Sequence, residues 1–151
     1  MMRIVAIGKK HDDWLQAGIE RYQKRLRGAW EVNWELLPHS SLEGQQARNE
    51  ESQRILSKLR PTDTVILLDE VGTQFDSSAL ARTLDQLFTN GKSVVFVIGG
   101  AYGVSDELRS RADTVWSLSP LVFPHQLVRL ILIEQLYRAQ SIANGGRYHH
   151  E

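Results

Sequence analysis

Cysteine is absent from the 151-residue chain, which excludes a disulfide framework, thiolate metal sites and cysteine nucleophiles. Net charge is absent as well. Lys and Arg number 18, as do Asp and Glu, so a general nucleic-acid sponge is not expected. No apolar run approaches the roughly 20 residues of a membrane-spanning helix. The N-terminus, MMRIVAIGKK, lacks a signal-peptide layout, and a cytoplasmic location is the expectation. There is no internal repeat and no low-complexity segment. What remains is an ordinary globular composition, 42% hydrophobic and 24% charged. The length suits one domain over residues 1–151. The charge is unevenly spread: residues 1–30 carry seven basic and three acidic side chains, net +4, and the other 121 carry eleven and fifteen, net −4.

Apolar strands alternate with helical patterns along the chain. Strands are expected at 2–7, 31–37, 64–68, 93–98 and 113–118. Helices are expected from Asp12 or Asp13 to about Leu26, over 43–60, from the Asp76 cap to about Thr89, and briefly after the Ser105 cap. A last helix is expected over 125–143, after a loop at 119–124 in which Pro124 pushes Phe123 towards an extended backbone. Its apolar residues run nearly all the way round, so it should be buried on more than one side. Fully apolar central strands between helices predict an α/β fold, a mainly parallel sheet with helices on both faces.

In such folds ligands bind beyond the carboxyl ends of the strands. Leu68-Asp69, Gly99-Gly100 and residues 117–119 are three such ends. The GGAYG turn gives backbone access to a ligand, though it does not match a dinucleotide fingerprint. Lys9, Lys10, Arg21, Lys24 and Arg25 are the candidate basic patch for phosphate contact, or else a solvated helix face. Trp14, Trp30, Trp34 and Trp116 are expected to pack in the core. Glu134 and Arg138 are spaced as a helix ion pair, and Arg129 sits among apolar neighbours, either snorkelling or bound to a partner. His149 and His150, with Glu151 or His125, were weighed as metal ligands; adjacent histidines point apart and zinc needs three or four converging ligands, so no metal is expected.

The runs RIVAIGKK, LLDEVG, VFVIGGAYGVS and WSLSPLVFPHQLVRLILIEQLYRAQSI and the terminal RYHHE resemble the RlmH-type large-subunit ribosomal RNA pseudouridine methyltransferases of the SPOUT superfamily. The resemblance implies a C-terminal trefoil knot, one of the rare threaded connections in proteins. It implies S-adenosylmethionine as cofactor, held by Leu68, Gly100, Ser119, Pro120, Leu121, Val122, Phe123 and Pro124. It implies a homodimer that methylates N3 of a pseudouridine in a 23S rRNA stem-loop at the subunit interface of the assembled ribosome. Tyr148 and His149 would position the base or relay its proton, and Arg138 and Arg129 would stabilise developing negative charge. Many members carry Arg or Lys after the Tyr-His; here His150 stands there, which makes any charge pH-dependent. Without the resemblance, three other readings stay open: a SPOUT methyltransferase for another RNA such as tRNA, a non-catalytic ribosome-associated binding module, and a generic nucleotide-binding α/β protein.

Overall fold

The apolar run after Met1 forms strand β1 (Met2–Ile7) in the computed structural model, which describes residues 1–150. Then follow α1 (Asp13–Gln23), a 3-10 turn (Gly28–Trp30), β2 (Val32–Leu37), α2 (Gly44–Leu56) and β3 (Asp63–Gln74). The rest is α3 (Ser77–Thr89), β4 (Ser93–Ile98), α4 (Asp106–Arg111), β5 (Thr114–Ser117) and α5 (His125–Ala143). All five strands are parallel, in the order β2-β1-β4-β3-β5. Side chains alternate across the central strands and feed two cores. Ile4, Ala6, Ile66 and Phe96 face α1, α3 and α5; Val5, Ile7, Val65, Leu67, Val95 and Val97 face α2 and α4. The α/β class, the parallel sheet and the helices on both faces are as expected. No helix among the described residues is long and apolar enough to cross a membrane.

Two of the caps read from sequence form, while Asp12 precedes α1 without a side-chain capping bond. Asp76 Oδ1 accepts from Ala79 N–H at 2.7 Å and Ser105 Oγ from Leu108 N–H at 3.2 Å. Helix α5 lies between α1 and α3 and buries Arg129, Leu132, Ile133, Leu136 and Ala139.

Two expectations are corrected. Trp14 is not a core residue: it is 65% exposed at the first turn of α1, on the side turned from the sheet, while Leu15 and Ile19 face inward. Strand β3 does not stop at Leu68. Leu68 and Thr73 both stand opposite Trp116 of β5, so residues 69–72 bulge out between two pairing segments. Gly72 permits this, because a Cβ there would lie 2.5 Å from the Val115 carbonyl oxygen.

Candidate active site at the carboxyl ends of the strands

Three strand ends meet. Leu68 in β3, Ile98 with Gly99 and Gly100 after β4, and Leu118 with Ser119 after β5 line one cavity of about 560 Å³. Parallel neighbours put these ends on one edge of the sheet. Leu121, Val122, Phe123 and Pro124 close the side, with His125 and Val128 of α5. Of the residues expected around a cofactor, only Pro120 does not line this space. Two local bonds shape the loop: Ser117 Oγ donates to Ser119 O at 2.9 Å, and Leu121 N–H donates to Ser119 Oγ at 3.0 Å. Leu121 and Val122 stand 69% and 77% exposed.

Gly100 lines the cavity, but its small size serves a different purpose from the one expected. A Cβ there would lie 2.5 Å from Glu51 Oε1 and 3.2 Å from Ile7 Cγ2. The space on that side belongs to Glu51 of α2, not to a ligand. Helix α2 grips this turn at two further points. Arg48 Nε donates to Tyr102 O at 2.9 Å, and Ser105 N–H donates to Ser52 Oγ at 2.9 Å.

Arg129 is also corrected. It is fully buried and donates to the carbonyls of Lys10 (2.9 Å), Ile7 (2.9 Å) and Gly8 (3.1 Å). No carboxylate pairs with it among the described residues. It fastens the turn after β1 to α5 and does not face a substrate. Gln126 adds two bonds, donating to Lys10 O at 3.2 Å and accepting from Asp12 N–H at 3.0 Å. Burial, then the Arg129 charge, holds the imidazoles of His11 and His125 below their ordinary range.

At the other end of α5 the chain doubles back. Gly146 N–H donates to Ser141 O at 2.7 Å, and Tyr148 N–H to Ser141 Oγ at 3.3 Å. Arg138 Nε meets Glu134 Oε2 at 3.2 Å, the expected pair, and its guanidinium lies 4.7 Å from the Tyr148 ring centre. Arg138 Nη1 is 3.1 Å from His149 Nδ1. A guanidinium only donates, so Nδ1 accepts and the ring proton sits on Nε2. Burial, then the hydrogen bond with Tyr22, pushes the Tyr148 phenol up to about 12. Tyr148 is therefore a hydrogen-bonding group near neutrality and not a general base. His149 lines a second cavity, of about 740 Å³, with Phe75, Trp116, Ile131 and Gln135. Leu118 and Phe123 line both cavities and form the partition between them. Within one protomer the tail thus stands on the far side of that partition from the strand-end cavity.

The five cations do not form one patch. Lys9 and Lys10 are exposed in the turn after β1. Arg21, Lys24 and Arg25 lie at the opposite end of α1, roughly 16 Å away at 1.5 Å per residue. Arg21 lies over the Tyr22 ring and Arg25 over that of Tyr137, each at 5.9 Å. No three His, Asp or Glu converge as metal ligands among the described residues; Glu151, weighed for such a role, lies outside them.

Residues 1–149 match the family described as "Predicted SPOUT methyltransferase". The chain belongs to the SPOUT methyltransferases. Within that family it is 45% identical to the ribosomal RNA large subunit methyltransferase H of Acetivibrio thermocellus, over 97% of each chain. It is 48% identical to the protein of the same name from Synechococcus sp. strain CC9902, over 97% of this chain and 94% of the relative. Among solved structures, the SpoU methyltransferase AviRb from Streptomyces viridochromogenes, in complex with its cofactor AdoMet, superposes with a TM-score of 0.50. That likeness covers 97% of this chain and 59% of AviRb at 13% identity, and it is one of fold. A SPOUT assignment agrees with the strand-end cavity reached from topology.

Proposed function

We propose that this SPOUT chain transfers a methyl group from S-adenosylmethionine to N3 of a pseudouridine in a 23S rRNA stem-loop, as a cytoplasmic homodimer acting on the assembled ribosome. The observation that carries the reading is the cavity at three strand ends in a chain so similar, over nearly its full length, to large-subunit rRNA methyltransferases.

The cavity wall fits the cofactor. Backbone edges of residues 99–100 and 119–124 are available to an adenine edge and ribose hydroxyls. Leu68, Ile98, Leu118, Phe123 and Val128 offer apolar faces. No Lys or Arg lines it among the described residues, so the phosphates of a dinucleotide or of ATP would meet no countercharge. The sulfonium of S-adenosylmethionine supplies an electrophilic methyl.

The chain's own groups orient the acceptor. In this reading Arg138 stabilises the imide as its charge develops, and Tyr148 and His149 hold the base in line. Arg129 positions the turn after β1. Lys9 and Lys10, and separately Arg21, Lys24 and Arg25, are the candidate phosphate contacts. The homodimer is supported by the exposed Trp14 and the half-buried Leu130 and Tyr137 on the outer side of α1 and α5. It is supported too by the partition, which leaves one protomer's tail to serve the other's cavity. The knotted C-terminal region belongs to the same proposal and rests on family membership.

Mass spectrometry of 23S rRNA from a strain lacking this gene tests the function. The expected result is loss of one methyl from a single pseudouridine, restored by the purified protein and labelled cofactor. An unchanged 23S rRNA, with a methyl missing from tRNA instead, would overturn the substrate.

A further inference from the structure

Glu51 is 3% exposed, on the core-facing seam of α2, one turn from Ala47 and one from Ile55. Carboxylates are rarely buried so fully unless paired. Oε2 accepts from Ser40 N–H at 2.9 Å and stands 3.8 Å from His39 Nδ1. Oε1 is buried and has no hydrogen-bond partner among the described residues. That oxygen occupies the side of Gly100 where a side chain would otherwise be, and Gly100 lines the strand-end cavity. A half-satisfied carboxylate therefore backs the wall at a residue with no side chain.

The rest of the wall does not cancel its charge. Asp69 is already paired with Arg109 at 2.7 Å, Glu70 is exposed, and no lysine or arginine is present in the lining. Leaving a buried carboxylate oxygen without a donor is costly. A positive charge arriving across Gly100 offsets that cost, because a charge screened little by water acts over several ångströms.

We propose that Glu51 is a specificity-determining residue, a buried negative charge that selects the cationic part of the cofactor, its sulfonium or its α-ammonium group. This rests on the cofactor assigned above and goes beyond it by naming the residue that reads charge. Glu51 acts across the Gly100 backbone and takes no part in the methyl transfer itself.

Isothermal calorimetry on the full-length protein tests it with three probes. S-adenosylmethionine carries both cations, S-adenosylhomocysteine only the ammonium, and methylthioadenosine neither. Glu51→Gln keeps the shape and an acceptor for Ser40. It is expected to weaken S-adenosylmethionine by about tenfold and methylthioadenosine by less than about twofold. A parallel loss for S-adenosylhomocysteine assigns the ammonium; no loss assigns the sulfonium. Equal weakening of methylthioadenosine, or unchanged binding of S-adenosylmethionine, overturns the proposal. Glu51→Asp keeps the charge and is expected to hold the ratio of the two affinities within about threefold of wild type. A collapsed ratio in that variant overturns the proposal even where Glu51→Gln does not fold. Wild-type protein that binds no S-adenosylmethionine would instead sink the cofactor assignment, a separate failure.

Discussion

At the N-terminal end of α5, Gln126 bonds to backbone, and Arg129 reaches three carbonyls of the turn after β1 and the His11 ring. At the C-terminal end, Arg138 bonds only to side chains, those of Glu134 and His149, and lies over the Tyr148 ring. Arg129 is buried and fixes one main-chain segment against another. Arg138 is half-buried and is held by side chains able to turn to new partners, while its neighbour Gln140 is buried and ties α5 to the backbone of Arg25 and Arg27. Backbone anchoring suits a cavity that must keep its shape. Side-chain pairing suits a surface completed by another molecule. One helix thus carries one arginine fixed to main chain near its start and another paired with movable side chains near its finish.

The largest expected effect that tests this contrast is on stability. Arg129→Met leaves the Ile7 and Gly8 carbonyls without their buried guanidinium donor and should cost about 3–5 kcal/mol in urea unfolding. Arg138→Met should cost less than about 1 kcal/mol, since its pair is partly solvated. Equal costs would erase the distinction. Next comes deletion of residues 147–151, expected to lower methyl transfer by about a hundredfold or more. Cofactor affinity by calorimetry should stay within about threefold of wild type. A truncated protein with full activity contradicts the role of the tail. The smallest effect is with pH. Burial and then the Arg129 charge depress the His11 and His125 pKa values below 6.5, so the unfolded chain binds protons first. Their contribution is complete above that value and is lost as pH falls through it towards the lower folded pKa values. Urea unfolding should therefore show stability falling from pH 7 to pH 5. Glutamine at both positions should flatten that slope, and an unaltered slope would place the titration elsewhere.

Much of the frame was legible in the residues. Pro124 and the apolar run behind it mark α5 at its observed bounds, because proline geometry and helical spacing are local rules. The three strand ends follow from apolar runs and parallel topology. The second half of β3 was not legible: Asp69, Glu70 and Gly72 are poor strand formers, and only pairing with β5 extends the strand to Gln74. Glu51 was missed because α2 is largely polar; the only signal was its place one turn from both Ala47 and Ile55, a seam marked by two apolar side chains. Arg129 read as a cation looking for an anion. Its partners are three main-chain carbonyls and the His11 ring, and the carbonyls have no signature in the sequence. The tail residues were identifiable, but their position behind Leu118 and Phe123 depends on a reversal after α5 that composition does not fix.

The place of α5 between α1 and α3 also bears on biogenesis. It follows every strand and every other helix among the described residues, yet it fills the middle of its layer. Until it leaves the exit tunnel, Ile4, Ile66 and Phe96 lack their covering, and the nascent chain shows a greasy furrow to solvent. Sealing that furrow and finishing the wall of the strand-end cavity are then one event, so a chain arrested before α5 would be both sticky and without that cavity.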